Sequence, residues 1–408
     1  MQKLFLFCLL LALAVRFLLS FFYEPRLNAG QHINFTTTLL SEPTDNITYK
    51  SITVDFSNGL GSSPIYLVLP EESAVHYGQK VIISGIISLK DFSGKTETTI
   101  SHPIIQATSS QNPLLAVAYY LRQKVQNQYN AVLPQKSAAL LLGIVLGAKG
   151  NFPENFLLNL QSVGVMHVIA ASGMNVTMTA AFLLGIFTAF LRRQWAIIWT
   201  IAGLLFYCVI SGLQASILRA TIMIFFALAA QLLGRQYSGL YGLFLAAVGM
   251  LLYNPNWLFD VGFQLSFAAT LGIMTIKPLL HLDGIFGEDV ATTVSAQIAT
   301  LPILVGSFGT YGLLSILVNA LVLWTIAPLM ILGGIGALVG LVFLPLGNFF
   351  VWICEPLLWF FENMVTYFGN FGWQVHVAYL PAVFIVGYYF LLGSWVLLGR
   401  KPIKEQDL

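Results

Sequence analysis

Between Val163 and Leu191 the chain reads VGVMHVIAASGMNVTMTAAFLLGIFTAFL, apolar enough to sit in a bilayer yet carrying His167, Ser172, Gly173 and Asn175 within nine positions. A segment that only anchored the chain would not need these residues. Glycine costs a helix about 1 kcal/mol against alanine. Broken or polar backbone at membrane depth is tolerated only against protein or a water-filled cavity. Two readings follow. Either 163–191 spans the membrane with its upper third facing an internal hydrated space, or it is a kinked helix whose polar groups bond neighbouring helices.

The rest of the chain fits a membrane setting. Only 9% of its 408 residues are charged and 57% are hydrophobic, against about 25% charged in soluble domains. Mean hydropathy is +0.79. The expected fold is a polytopic α-helical membrane protein with a small extracytoplasmic all-β (OB-like) domain near the N-terminus. Cys8, Cys208 and Cys354 all lie in apolar runs, which suits small core residues better than ligands or disulfide partners. The phosphate-loop pattern GxxxxGK[ST] is absent, so no ATP motor is recognisable.

Residues 1–23 read as an uncleaved anchor helix, because Arg16 interrupts the apolar run and no small-residue cleavage site follows. Residues 24–112 alternate polar and β-branched residues between turn signals. Strands are expected at 32–40, 47–56, 63–69, 79–89 and 97–106, with turns at Asn58-Gly59 and Ser93-Gly94 and a bulge at Gly85. That number of short strands suits an OB-fold. OB-folds often bind single strands, but five basic against eight acidic residues here do not attract a polyanion. A structural or docking role fits better. Residues 113–134 predict an amphipathic helix with Leu114, Leu115, Val117, Ala118, Leu121 and Val125 on one face and Arg122, Gln123, Lys124 and Gln126 on the other, suited to a membrane interface. The run 138–148 is too short to cross about 30 Å of hydrocarbon. It reads as a half-membrane helix ending at Gly147, with a loop from Lys149 to Glu154 after it.

Basic residues orient the spans. Arg192 and Arg193, Arg235, Lys277, and Arg400 with Lys401 and Lys404 follow 163–191, 214–233, 258–276 and 381–399. Placing them in the cytoplasm makes those four spans run inward and 194–212, 239–253 and 289–308 run outward. Both termini, including the tail 401–408, are then cytoplasmic, and 113–400 forms the membrane domain. Region 312–343 then starts and ends outside, as two helices or a re-entrant pair. Residues 348–368, with Glu355 and Glu362 among tryptophans, read as an interfacial helix.

Ionisable residues in a bilayer cost about 2.5–3.5 kcal/mol on insertion scales. Arg219 and Asp260 fall at comparable depth near the outer ends of their spans, so a structural ion pair is one reading. The other has Arg219 face the hydrated path and meet a phosphate, which its planar fork suits. Gln264, Ser266, Gln297 and Asn319 are further polar residues in apolar spans, each open to an interhelical role. Zinc needs three or four clustered ligands, and His167 has only Ser172 and Asn175 nearby. No metal or other cofactor is expected. Ser172 as a nucleophile lacks G-x-S-x-G and a nearby acid, so no catalytic residue is expected, and a membrane hydrolase is a minor alternative.

The run LLLGIVLGAKGNFPENFLLNLQSVGVMHVIAASGMNV resembles the signature of the ComEC-type competence family. The matching positions are Leu140 to Gly143, then Gly164, His167, Ala170, Ser172, Gly173 and Val176. Further similarities are Ser216, Arg219 and Ala220, the run Gly262 to Phe267, then Ser295, Ala296, Gln297, Ala299, Thr300 and Pro302, and finally Asn319 with Pro328. Several elements in order are more specific than any one. The resemblance covers about 115–340, and 24–112 resembles the family's N-terminal OB-like module.

The resemblance implies a channel admitting single-stranded DNA through the cytoplasmic membrane during natural transformation. Path candidates are His167, Ser172, Gly173, Asn175, Arg219, Gln264, Gln297 and Asn319. Asn175 stands where a second histidine is common in the family. The metallo-β-lactamase-like domain of many members is not expected, since H-x-H-x-D-H is absent. The chain is therefore expected to be no enzyme. Its expected partners are single-stranded DNA, membrane lipids, an extracytoplasmic DNA-receptor protein, a separate nuclease and a cytoplasmic DNA-translocating ATPase. The alternative is a small-solute or lipid transporter using the same membrane fold. Twelve basic and nine acidic residues in 113–408 suit a weakly positive path, because a moving polymer must be released as well as bound.

Overall fold

An apolar helix, α1 (Gln2–Tyr23), opens the chain and leads into a β sheet. The computed structural model describes residues 2–399 except 24, 26, 41–43, 46–49, 59–60, 71–74, 93–94, 102, 109–111, 148–151, 170–171, 281–283 and 378–380. The expected turns at Asn58-Gly59 and Ser93-Gly94, most of the loop from Lys149, the motif residue Ala170 and the tail with Arg400, Lys401 and Lys404 lie wholly or partly outside the described residues.

The strands are β1 (His32–Thr38), β2 (Thr44–Asp45), β3 (Lys50–Asn58), β4 (Gly61–Leu69), β5 (Lys80–Phe92), β6 (Lys95–Ser101) and β7 (Ile104–Ala107). Alternation decides which face is buried. Ile65, Leu67 and Leu69 point into the sheet's core with Ile52, Val54, Val81, Ile83, Ile87 and Ile100. The sheet order is β1-β5-β6-β4-β3-β2, with β7 on β5. Among the described residues only β4 and β6 run parallel. This is a Greek-key circuit curled into an OB-like half-barrel, with no β1–β3 ladder among the described residues. Gly85 is not a bulge. It pairs in unbroken register with Ile33, and a Cβ there would strike the Ile100 side chain, so the position requires close approach.

The helical part comprises α2 (Pro113–Val132), α3 (Gln135–Leu146), α4 (Glu154–Ser162), α5 (Met166–Ile169), α6 (Gly173–Phe190), α7 (Arg193–Ile210), α8 (Ala215–Leu232), α9 (Gly239–Tyr253), α10 (Val261–Thr275) and α11 (Ile285–Phe308). The short strand β8 (Thr310–Gly312) follows, then α12 (Ser315–Val322), α13 (Ile326–Val342), α14 (Leu344–Ile353), α15 (Glu355–Gly369), β9 (Gln374–His376) and α16 (Ala382–Gly399). Among the described residues, six helical stretches are long and apolar enough to cross a membrane. The chain is a multi-pass membrane protein with a β domain.

Side-chain contacts fix which helix ends lie together. Gly173 meets Arg219, Gly239 meets Met274, and Gly399 meets Leu279. The turns carrying Arg192, Arg193, Arg235 and Lys277 therefore share one end of the bundle. The β domain docks on the other end. Tyr77 donates its hydroxyl to the Val209 carbonyl at 2.6 Å, and Asn254 Nδ2 reaches Asp55 Oδ2 at 3.1 Å. Asn256 Nδ2 bonds the Ser62 carbonyl beside it.

Helix α3 lies at the centre, every residue from Ser137 to Leu146 buried, and ends at Gly147 in a left-handed cap (φ 66°). Burial by protein explains how so short an apolar helix is accommodated. Cys208 and Cys354 are buried and free, and Cys8 is exposed.

Two expectations require correction. Helix α2 packs on α3, α7, α13 and α14. Gln123, Lys124 and Gln126 are exposed as expected, but Arg122 is buried, its guanidinium 5.8 Å from the Tyr77 ring centroid. The loop before β5 covers that face, which α2's own periodicity does not reveal. The second concerns 348–368, while 312–343 holds two helices, α12 and α13, which is one of its two expected forms. Ser315–Val342 and Leu344–Gly369 form two long stretches, packed antiparallel where Gly347 lies against Gly340 and Gly336. The second stretch is long and apolar enough to cross a membrane, which an interfacial helix need not be. Its Glu362 accepts a 2.7 Å hydrogen bond from Ser137 and pairs with Lys136 at 3.3 Å, so the carboxylate is satisfied within the bundle.

Candidate functional site

The sequence 163–191 folds as a broken helix. A tight turn at Val163-Gly164 ends α4, the single turn α5 follows, and α6 starts at Gly173. Gly164 adopts φ +69°, and a Cβ there would lie 2.7 Å from the Ser315 Cβ. A non-glycine residue would thus be strained twice, by backbone conformation and by contact. Met166, His167 and Met174 are exposed, and Ser172 and Gly173 are half-buried. The break therefore presents polar groups at an accessible surface.

Asn175 does not line that surface. It is 1% exposed. Its Nδ2 donates to the Ile144 carbonyl at 2.9 Å, and its Oδ1 accepts from Ser172 Oγ at 3.0 Å. It fastens the first turn of α6 to the end of α3. Ser172 Oγ is committed to this amide rather than to His167, which gives no support to a serine nucleophile. Among the described residues no cluster of three or more His, Cys, Asp or Glu could hold a metal ion.

Arg219 stands on α8 beside the start of α6. It is 6% exposed, and its Nη1 donates to the Ser266 carbonyl at 2.6 Å. Its Cζ lies 5.8 Å from the Phe267 ring centroid. Its Nε is enclosed without a hydrogen-bond partner. The guanidinium rests on Gly173, where a Cβ would come within 2.8 Å of Nη2. The expected Arg219–Asp260 ion pair is not formed. Asp260 caps α10, accepting from the Phe263 N–H at 2.7 Å. Its carboxylate is held at the helix N-terminus, where the peptide dipoles favour a negative charge.

The other candidates separate into two places. Gln264 is half-buried and donates to the Leu258 carbonyl at 2.8 Å. Gln297 belongs to a cluster that also contains Tyr311 and Ser315. Tyr311 donates its hydroxyl to Gln297 Oε1 at 2.8 Å, and Gln297 Nε2 donates to Ser315 Oγ at 3.1 Å. Asn319, one turn beyond Ser315, is 2% exposed and its Oδ1 has no partner. Through Ser315 against Gly164 this cluster abuts the broken helix. The break thus meets α8 on one side and α12 on the other. Tyr311 and Ser315 were not foreseen. Their four-residue spacing beside a helix start was the available signal, and nothing local indicated Gln297 as partner.

A family model described as "Competence protein" matches residues 144–402, more than half of the chain. The chain is 28% identical over 303 residues to ComE operon protein 3 of Bacillus subtilis (strain 168). That alignment covers 71% of this chain and 37% of the relative, so the chain corresponds to little more than a third of that protein. No solved structure matches. The matched region includes α6 with Gly173, α8 with Arg219 and the Gln297–Ser315 cluster, and the chain belongs to the competence protein family.

Proposed function

We propose that the chain is a membrane channel that passes single-stranded DNA inward across the cytoplasmic membrane during natural transformation. The observation carrying this reading is the extended backbone at Ser172 ahead of α6, where His167, Ser172 and Gly173 leave polar groups accessible at the surface of an otherwise apolar bundle. A polyanion needs such a wet, hydrogen-bonding path, because unpaired charge in hydrocarbon is costly. Family membership supports a role in DNA-uptake competence, as does the similarity to the Bacillus relative. Basic turns at one bundle end and the β domain at the other support cytoplasmic Arg192, Arg193, Arg235 and Lys277, with an extracytoplasmic β domain.

In this role the chain conducts rather than reacts. A receptor delivers DNA to the β-domain side, a separate nuclease removes one strand, and a cytoplasmic ATPase pulls the other. The test is a deletion strain given labelled DNA, scored separately for surface-bound label and for internal label protected from added nuclease. Surface binding should persist while protected single strand falls to background. Undiminished protected strand, with loss of a defined solute's uptake instead, would replace the channel with a transporter.

A further inference from the structure

We propose that Arg219 and the open first turn of α6 together form a binding site for one phosphodiester group, an inference that rests on the channel reading in taking that group from the strand. The first turn of a helix leaves N–H groups without intrahelical acceptors. At α6 the Asn175 N–H bonds the Ser172 carbonyl at 3.1 Å, but among the described residues no side chain caps the turn, since Ser172 occupies the cap position without capping and bonds the Asn175 amide oxygen instead. Beside this turn sits a guanidinium only 6% exposed, with Nη1 on the Ser266 carbonyl and an enclosed Nε that has no partner. Its Nη2 lies beside Gly173, the first residue of the turn.

Two positive features therefore converge in an apolar bundle with no carboxylate between them. Asp260, the acid nearest in expectation, is occupied in capping α10. A guanidinium and a helix N-terminus repel one another, because both favour negative charge. Their juxtaposition is explained when an anion joins them. A phosphodiester fits both halves. One free oxygen can take the Nη2 N–H in a charge-assisted bond, and helix N-termini take phosphate oxygens on backbone N–H groups. Gly173 makes the arrangement possible, since a side chain there would displace Nη2. The same chemistry could be met by the phosphate of a lipid headgroup, and the test separates the two sources.

The full chain is placed in nanodiscs of phosphatidylcholine alone, and its affinity for fluorescent oligo-dT is followed against salt. Each phosphate contact contributes about −0.7 to the slope of log K against log salt for a single strand. Arg219→Gln should weaken binding about tenfold and make the slope shallower by about 0.7. Gly173→Ala should do likewise with no change in charge. Arg219→Lys, which keeps a cation in the bundle and guards against misfolding, should weaken binding less. Unchanged slopes in well-folded Arg219→Gln and Gly173→Ala would overturn the strand-phosphate site. In parallel, discs containing phosphatidylglycerol are examined by native mass spectrometry for retained lipid. Retention lost in Arg219→Gln, with oligonucleotide slopes unchanged, would reassign the anion to lipid. A wild-type chain that binds no oligo-dT would refute the channel reading. The lipid arm then decides alone: lost retention upholds an anion site, and unchanged retention ends it.

Discussion

Gly347→Ala should remove most of the folded protein from the membrane. A Cβ at Gly347 would strike the Gly340 backbone and lie 2.7 Å from the Gly336 carbonyl oxygen. Backbone cannot rotate aside as a flexible side chain can, so the two helices must separate. Overpacking a close contact costs about 1–3 kcal/mol, and this site belongs at the upper end, about 3 kcal/mol. Separation would also loosen Gln128 and Tyr129 of α2, which donate to the Gly336 and Gly333 carbonyls at 3.0 and 2.9 Å. Gly334→Ala is the control, because nothing lies within 4 Å of its added Cβ. Melting in detergent and abundance in membranes should show a large loss for the first and none for the second. Equal behaviour of the two would mean that the hairpin is not packed through Gly347.

Glu362→Ala should be the next most damaging change, through charge rather than shape. Lys136 Nζ lies 3.3 Å from Glu362 Oε2 and 4.0 Å from the Phe156 ring centroid. Removing the carboxylate strands an ammonium inside the bundle and leaves Ser137 without its acceptor. Breaking a fully buried pair costs about 3–5 kcal/mol. The Lys136 side chain is 30% exposed, which reduces the expected loss to about 2 kcal/mol. Lys136→Met combined with Glu362→Ala should recover much of it, since neither charge is then left alone. A double variant as unstable as the sum of the two single ones would show that the pair is not coupled.

These two sites also show what a sequence conceals in a bundle of this kind. Glu362 reads as interfacial because its satisfying partner, Ser137, lies 225 residues away along the chain. Arg122 reads as solvent-facing for the same reason, since Tyr77 comes from a different domain. By contrast the break near Gly173 was legible, because glycine and polar residues in an apolar run act on the local backbone. Most strands of the β domain were legible from period-two alternation, but β2 was not foreseen and the expected strand 97–106 is two, β6 and β7. Asp260 could have been read better. An aspartate immediately before an apolar helix signals a cap, and that local role takes it away from Arg219.

The competence resemblance collected distant motifs but gave no depth or contact for any of them. The structure joins three of these motifs at one place, with Gly164 at Ser315, Gly173 at Arg219 and Gln297 at Ser315. It also places Asn175 in an anchoring position, fully enclosed. The hydrogen bond from its amide to the Ile144 carbonyl holds α6 on α3.

The most direct trial of the account is to catch a strand in transit. A photo-crosslinking residue replaces His167 in one strain and Leu397 in another, the latter an exposed position near the end of α16. Transforming DNA carries a bulky block at its trailing end, so that the strand stalls across the membrane. On irradiation the account predicts DNA adducts at position 167 and none above background at 397. No adduct at 167, or equal yields at both positions, would contradict passage of DNA through the broken helix.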